Sequence, residues 1–123
     1  MNLVDSSAWL EYFADSRFAE HFAEPLANPD KLIVPTIVLY EVLKVVEREA
    51  GEEAALQVQA IMQKSITIPL DANLAIKAAG FSLQHGLPMA DSIILATADE
   101  CGATIWTLDV HFDQLPNVRY FAK

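Results

Sequence analysis

The sequence predicts a three-layer α/β/α sandwich, with one mostly parallel sheet covered by helices on both faces. Short apolar runs such as Leu32, Ile33, Val34 alternate with longer stretches of helical spacing, the order that buries a parallel sheet from both sides. The chain has 123 residues, 53% of them hydrophobic and 20% charged, which suits a single domain over residues 1–123 and is too apolar for a disordered acidic chain. No internal repeat, linker or low-complexity segment divides it.

Asn2 to Asp5 reads as a short buried strand. After the polar start Asp5, Ser6, Ser7 comes a helix whose Trp9, Leu10, Tyr12 and Phe13 make a broad apolar face. Arg17 to Ala27 reads as a second helix, with Phe18 and Phe22 four residues apart, and Asn28, Pro29, Asp30 end it before the strand Leu32 to Val34. Pro35 and Thr36 open a long helix to about Ala50, for which Thr36 is the expected cap and Gly51 the stop. Ala55, Leu56, Val58, Ile61 and Met62 give Glu52 to Lys64 helical spacing, and Ile66, Thr67, Ile68 form the next strand. Asp71 is the expected cap of a helix through His85, which Gly86, Leu87, Pro88 break. A further helix runs from about Ala90 to Cys101 before Gly102. Thr104 to Leu108 is a β-branched and aromatic strand, and Val118 to Phe121 is the last.

Lys and Arg number 8 and Asp and Glu 17, for a formal charge of −9. Such a balance argues against gripping nucleic acid by general phosphate neutralisation, so a polyanionic substrate needs cations brought in. Cys101 is the only cysteine and reads as a small packed residue, which with the absence of a basic and apolar leader at the start points to a cytoplasmic, reducing setting.

Open parallel sheets carry function on the loops at the carboxyl ends of their strands. Four acids fall there. Asp5 ends the first strand, Asp109 follows the Thr104 to Leu108 strand, and Glu41 lies in the early turns of the helix entered from the second strand. Asp91 starts a helix after a Gly-Leu-Pro turn, and joins the others if that helix also opens at this rim. Singly, each has an ordinary use: Asp5 and Asp109 as helix caps, Asp91 as a first-turn acid, Glu41 as part of a solvated stripe with Lys44 and Arg48. Glu41 is the most telling, because Val38, Leu39, Tyr40, Val42, Leu43, Val45 and Val46 surround it. Converging carboxylates repel unless a cation compensates them, and oxygen donors with no His pair or Cys pair select Mg²⁺, with Mn²⁺ able to replace it.

These residues resemble the PIN-domain family, and closely its VapC-type ribonuclease toxins. The likeness runs over the whole length. It rests on Leu3-Val4-Asp5-Ser6-Ser7, Val34-Pro35-Thr36 through Glu41, Leu87-Pro88-Met89-Ala90-Asp91-Ser92 into Ala96-Thr97-Ala98, and Thr107-Leu108-Asp109 followed by Phe112. The resemblance implies that Asp5, Glu41, Asp91 and Asp109 form an acidic quartet holding Mg²⁺ or Mn²⁺, oriented by Ser6 and Thr107, and that RNA phosphodiesters are hydrolysed there by metal-activated water. It also implies a homodimer and a VapB-like antitoxin whose C-terminal segment lies in a groove near Trp9, Tyr12 and Phe13. The rings of Phe18 and Phe22 add to the apolar surface there, unless these aromatics fill the core.

Some relatives carry a further acid two positions after the last of the quartet, where this chain has His111. Asp113 stands one turn further on, with a solvated or capping role as its simpler use. His111 is a candidate general base with a structural role as the alternative, and His21 and His85 have no evident partner. Arg17, Lys44 and Arg48 are the cations nearest the proposed edge that could touch RNA. Two other readings compete. One is a binding module whose acids dock a basic partner. The other is a phosphohydrolase with Asp5 as nucleophile, which Ser7 weakens by occupying the place of a second Asp. Gly51, Gly80, Gly86 and Gly102 form no phosphate-cradling loop.

Overall fold

The computed structural model describes all residues from Met1 to Lys123. Five strands form one sheet: β1 (Asn2–Val4), β2 (Leu32–Pro35), β3 (Ile66–Ile68), β4 (Thr104–Thr107) and β5 (Val118–Tyr120). Its order is β3-β2-β1-β4-β5 and every pair is parallel. The helices are α1 (Ser6–Phe13), α2 (Ala23–Leu26), α3 (Thr36–Ala50), α4 (Glu52–Met62), α5 (Ala72–His85) and α6 (Met89–Cys101).

The chain moves outward from β1 to β2 to β3, then returns through α5 and α6 to pair β4 on the other side of β1. Right-handed crossovers in opposite directions place their helices on opposite faces. Accordingly α1 packs on α3 and α3 on α4, while α5 packs mainly on α6. Both faces of the central strands are thereby covered. Leu3, Val4, Leu32, Ile33, Val34, Ile105 and Trp106 are all buried, which is why these strands read as continuous apolar runs with no alternation. The order reverses between β1 and β4, and a crevice at the carboxyl ends of these two strands is where open α/β sheets hold ligands.

Two expectations are corrected. Arg17 to Ala27 is not one helix: a 3₁₀ turn over Ala19–Phe22 is followed by the single turn of α2. Pro25 has no amide hydrogen to donate to the carbonyl of His21, so an α-helix cannot run through it unbroken. Thr36 does not cap α3. The cap position is Pro35, without a side-chain bond. The Thr36 hydroxyl instead accepts from the Leu70 amide at 3.3 Å, tying the start of α3 to the loop after β3.

Asp71 does cap α5, its carboxylate accepting from the Leu74 amide at 2.9 Å. Gly102 ends α6 at φ +62°, a left-handed conformation that glycine enters without steric cost, and turns the chain directly into β4. Asp71→Ala is expected to lower stability by about 1 kcal/mol, read as a lower urea midpoint at unchanged slope. An unchanged midpoint would show that the cap bond contributes nothing.

Candidate metal centre at the carboxyl edge of the sheet

Asp5 is the structural centre of the edge. It leaves β1, caps α1 and is 3% exposed. Its Oδ1 accepts from the Ser7 hydroxyl at 2.7 Å and the Ala8 amide at 3.1 Å, and its Oδ2 from the Thr107 hydroxyl at 2.6 Å. Thr107 ends β4, and its Oγ1 also accepts from the Asp109 amide at 2.8 Å. One buried hydroxyl therefore fixes both the Asp5 carboxylate and the backbone that carries Asp109. Ser7 works in parallel, donating to Asp5 while accepting from the Leu108 amide at 3.2 Å. Sequence reading missed Ser7; the signal available was a second hydroxyl in the first helical turn after a capping Asp.

Glu41 reaches the same rim from α3. Its Oε1 accepts from the Ser6 hydroxyl at 2.5 Å, so consecutive serines in α1 serve two different acids. Asp91 lies in the first turn of α6. It lies beside Asp109, so the helix after the Gly86-Leu87-Pro88 turn does open at this edge. Asp91, Asp109 and His111 offer donor atoms that all lie within 4.8 Å of one another. The imidazole Nδ1 of His111 stands 2.7 Å from Asp91 and 3.2 Å from Asp109. Asp5 and Glu41 lie outside this tightest group but within electrostatic reach of it.

Burial raises the Asp5 carboxyl from 3.8 to about 6, against the opposing effect of its three hydrogen bonds, and the charge of Asp109 adds to the rise. Burial also raises Asp91, reinforced by the charge of Asp109 and, less strongly, of Glu41. The hydrogen bond to Asp91 and the charge of Asp109 in turn hold the exposed His111 above its ordinary value. No Lys or Arg forms an ion pair with any of the four acids. Carboxylate oxygens whose only cationic neighbour is the titratable imidazole of His111 match the oxygen-rich donor set a hard divalent ion selects.

Other candidates separate from the edge. Asp113 accepts from the Gln114 amide at 3.0 Å and serves its own turn. Arg17 lies over the Phe18 ring, Lys44 beside Tyr40, and Arg48 pairs with Glu49, so none of the three cations meets the acids. Of the rings expected at a surface, Trp9 of α1 and Phe22 beyond it are core residues, whereas Tyr12 is exposed. Phe13, stacked on Trp9, is the ring that instead lines a groove between α1, α3 and α4 with Leu10, Val46, Ala50, Val58 and Ile61. No helix of the chain is long and apolar enough to cross a membrane.

The raised Asp5 carboxyl has a definite pH signature. Between 3.8 and about 6 the folded state binds this proton and the unfolded state releases it, so stability falls as pH rises through that window and stays lower above it. With divalent ions chelated, the fall is on the order of 3 kcal/mol, and Asp5→Asn removes it. Urea midpoints of the two proteins at pH 4 and pH 7 measure the difference; identical pH profiles would contradict a buried, charge-averse Asp5.

The PIN domain family model matches residues 3–118. A toxin-antitoxin complex from Klebsiella pneumoniae superposes with a TM-score of 0.86 at 21% identity, covering 100% of both chains. The Mycobacterium tuberculosis toxin VapC20, which cleaves the sarcin-ricin loop, superposes at 0.77 with 20% identity over 94% of this chain and 95% of its own. DNA-bound VapBC from Salmonella typhimurium gives 0.72 and 18%, covering 99% and 98%. No curated protein matches the chain. The parallel sheet in the order β3-β2-β1-β4-β5, the acids at its carboxyl edge and the match over nearly the full length agree, and this chain belongs to the PIN domain family.

Proposed function

We propose that the chain, as a single domain, is an Mg²⁺- or Mn²⁺-dependent endoribonuclease and the toxin of a type II toxin-antitoxin pair, acting in the cytoplasm. The observation that carries this is the convergence of Asp5, Glu41, Asp91 and Asp109 on the carboxyl edge of a PIN-family sheet with no Lys or Arg to neutralise them. A divalent cation held by this quartet supplies the positive charge that an anionic phosphodiester needs and the acidity that turns water into a nucleophile. Asp91 and Asp109 present oxygens to it, and Asp5 and Glu41 complete the acidic wall. Thr107 and Ser7 hold the Asp5 carboxylate and Ser6 that of Glu41, so this part of the wall needs little reorganisation when substrate arrives. That VapC20 cleaves the sarcin-ricin loop supports RNA as the substrate class.

Partners follow from two faces. The groove of about 550 Å³ between α1, α3 and α4 is apolar, suiting the apolar face of an amphipathic antitoxin segment that orders on binding. Glu11 and Glu49 at its lining are paired with Lys123 and Arg48, which a basic segment would have to displace. Solved relatives in toxin-antitoxin complexes support that partner. The outward face of α5 carries Ala72, Ile76, Ala79 and Leu83 at intervals of four, three and four, with Ile76 73% and Leu83 89% exposed. This seam has coiled-coil spacing and no charged residue among the four, so a second copy can pack there without like charges in direct contact, although the chain carries a charge of −9.

Purified protein with Mn²⁺ or Mg²⁺ is expected to cut single-stranded RNA internally and to stop in excess chelator. Asp91→Asn lowers the rate by at least about 100-fold with the fold intact by circular dichroism. Cleavage that persists in Asp91→Asn and Asp5→Asn would assign the activity to a contaminant, whereas tight RNA or peptide binding without cleavage would favour the docking module. Leu83→Glu is expected to shift the sedimentation coefficient from dimer to monomer; an unchanged value would place the dimer contact elsewhere.

A further inference from the structure

We infer that His111 is an inner ligand of this metal centre, giving it a mixed oxygen and nitrogen donor set that favours transition-metal ions such as Mn²⁺ and Co²⁺ over Mg²⁺. The inference rests on the metal-centre reading above and concerns which ions the centre takes. Its ground is geometric. Asp109 caps the 3₁₀ turn Val110–Phe112, and its Oδ1 accepts from the His111 amide at 2.9 Å. Phe112, fully buried, anchors that turn in the core. Residues 109 and 111 are thus held on one turn, with the His111 imidazole directed at Asp91 and the Asp109 carboxylate beside it.

Donor atoms on one divalent ion stand about 2.0–2.2 Å from it, so neighbouring donors on the same ion are about 3 Å apart. The Nδ1 atom of His111 is 2.7 Å from Asp91 Oδ2 and 3.2 Å from Asp109 Oδ1. With a proton on Nδ1 these contacts are hydrogen bonds. They lie near the spacing of adjacent ligands, and the donors of all three residues lie within 4.8 Å of one another, so small side-chain shifts would bring them onto one ion. An ion at their common centre replaces the imidazole proton now shared with the carboxylates. Nδ1 then offers its lone pair, and the remaining proton sits on Nε2 of a ring whose side chain is 52% exposed and open to water. Mg²⁺ prefers oxygen and holds its waters, whereas affinity for nitrogen donors climbs along the transition series.

Two readouts test this without any activity measurement. Electron spin-echo envelope modulation on the Mn²⁺-loaded protein should show coupling to an imidazole nitrogen, lost in His111→Ala and in His111→Gln. Calorimetric titration should show that His111→Ala weakens Mn²⁺ binding about tenfold and Co²⁺ binding more, while Mg²⁺ affinity changes less than about twofold. Mn²⁺ bound with no nitrogen coupling, coupling retained in both variants, or an equal loss for all three ions would each overturn the ligand role of His111 and leave the acidic centre standing. Failure of the wild-type chain to bind any of the three ions would instead remove the metal-centre reading itself.

Discussion

The constraint on which the rest depends is the burial of Asp5 between two strands that are far apart in sequence. Its carboxylate joins the end of β1, the start of α1 and the end of β4 through Ser7, Ala8 and Thr107. A charge at 3% exposure is unfavourable unless it is hydrogen-bonded or compensated. The hydrogen bonds are present, yet burial still outweighs them, and the carboxyl is held near 6. The fold thus keeps a carboxylate in a place that costs stability, the environment in which functional carboxylates are found and the ground on which the proposed metal centre includes Asp5. Thr107 extends the same constraint to Asp109, so a single hydroxyl sets the spacing of two acids about a hundred residues apart in the chain.

Most of the architecture was legible because its cause is local. Strands buried on both faces show as unbroken apolar runs, and Asp71, Gly51, Gly86 and Gly102 mark helix ends by capping and by positive φ. The region after α1 was not. Phe18 and Phe22 carry helical spacing, but Pro25 and the positive φ of Asp15 redirect the backbone, so the periodicity reflects rings packed against the core from a broken segment. Thr36 shows the complementary error. A hydroxyl suited to a cap found a better donor in Leu70, thirty-four residues away.

The site was legible to the extent that parallel topology dictates it. Strands of one parallel sheet end on one edge, and that alone brings Asp5, Asp109 and Glu41 to the same rim. The tight contact of His111 with Asp91 and Asp109 depends on the turn that Phe112 anchors, and no periodicity encodes such a turn. The aromatic surface expected on α1 divides for a related reason: Trp9 belongs to the core, Tyr12 stays exposed, and Phe13 lines the groove with aliphatic and small residues from three helices.

On the proposed function an acidic chain acting on a polyanion has to reverse the sign of its own field at one place, and the acids at the edge between β1 and β4 are the place proposed for that reversal. Anomalous diffraction at the manganese edge, from crystals grown with Mn²⁺, tests the central claim most directly. The expected result is a single strong peak within about 2.2 Å of carboxylate oxygens from both Asp91 and Asp109, with Asp5 and Glu41 facing it. Ordered carboxylates with no peak among them, or manganese bound only elsewhere on the surface, would contradict it.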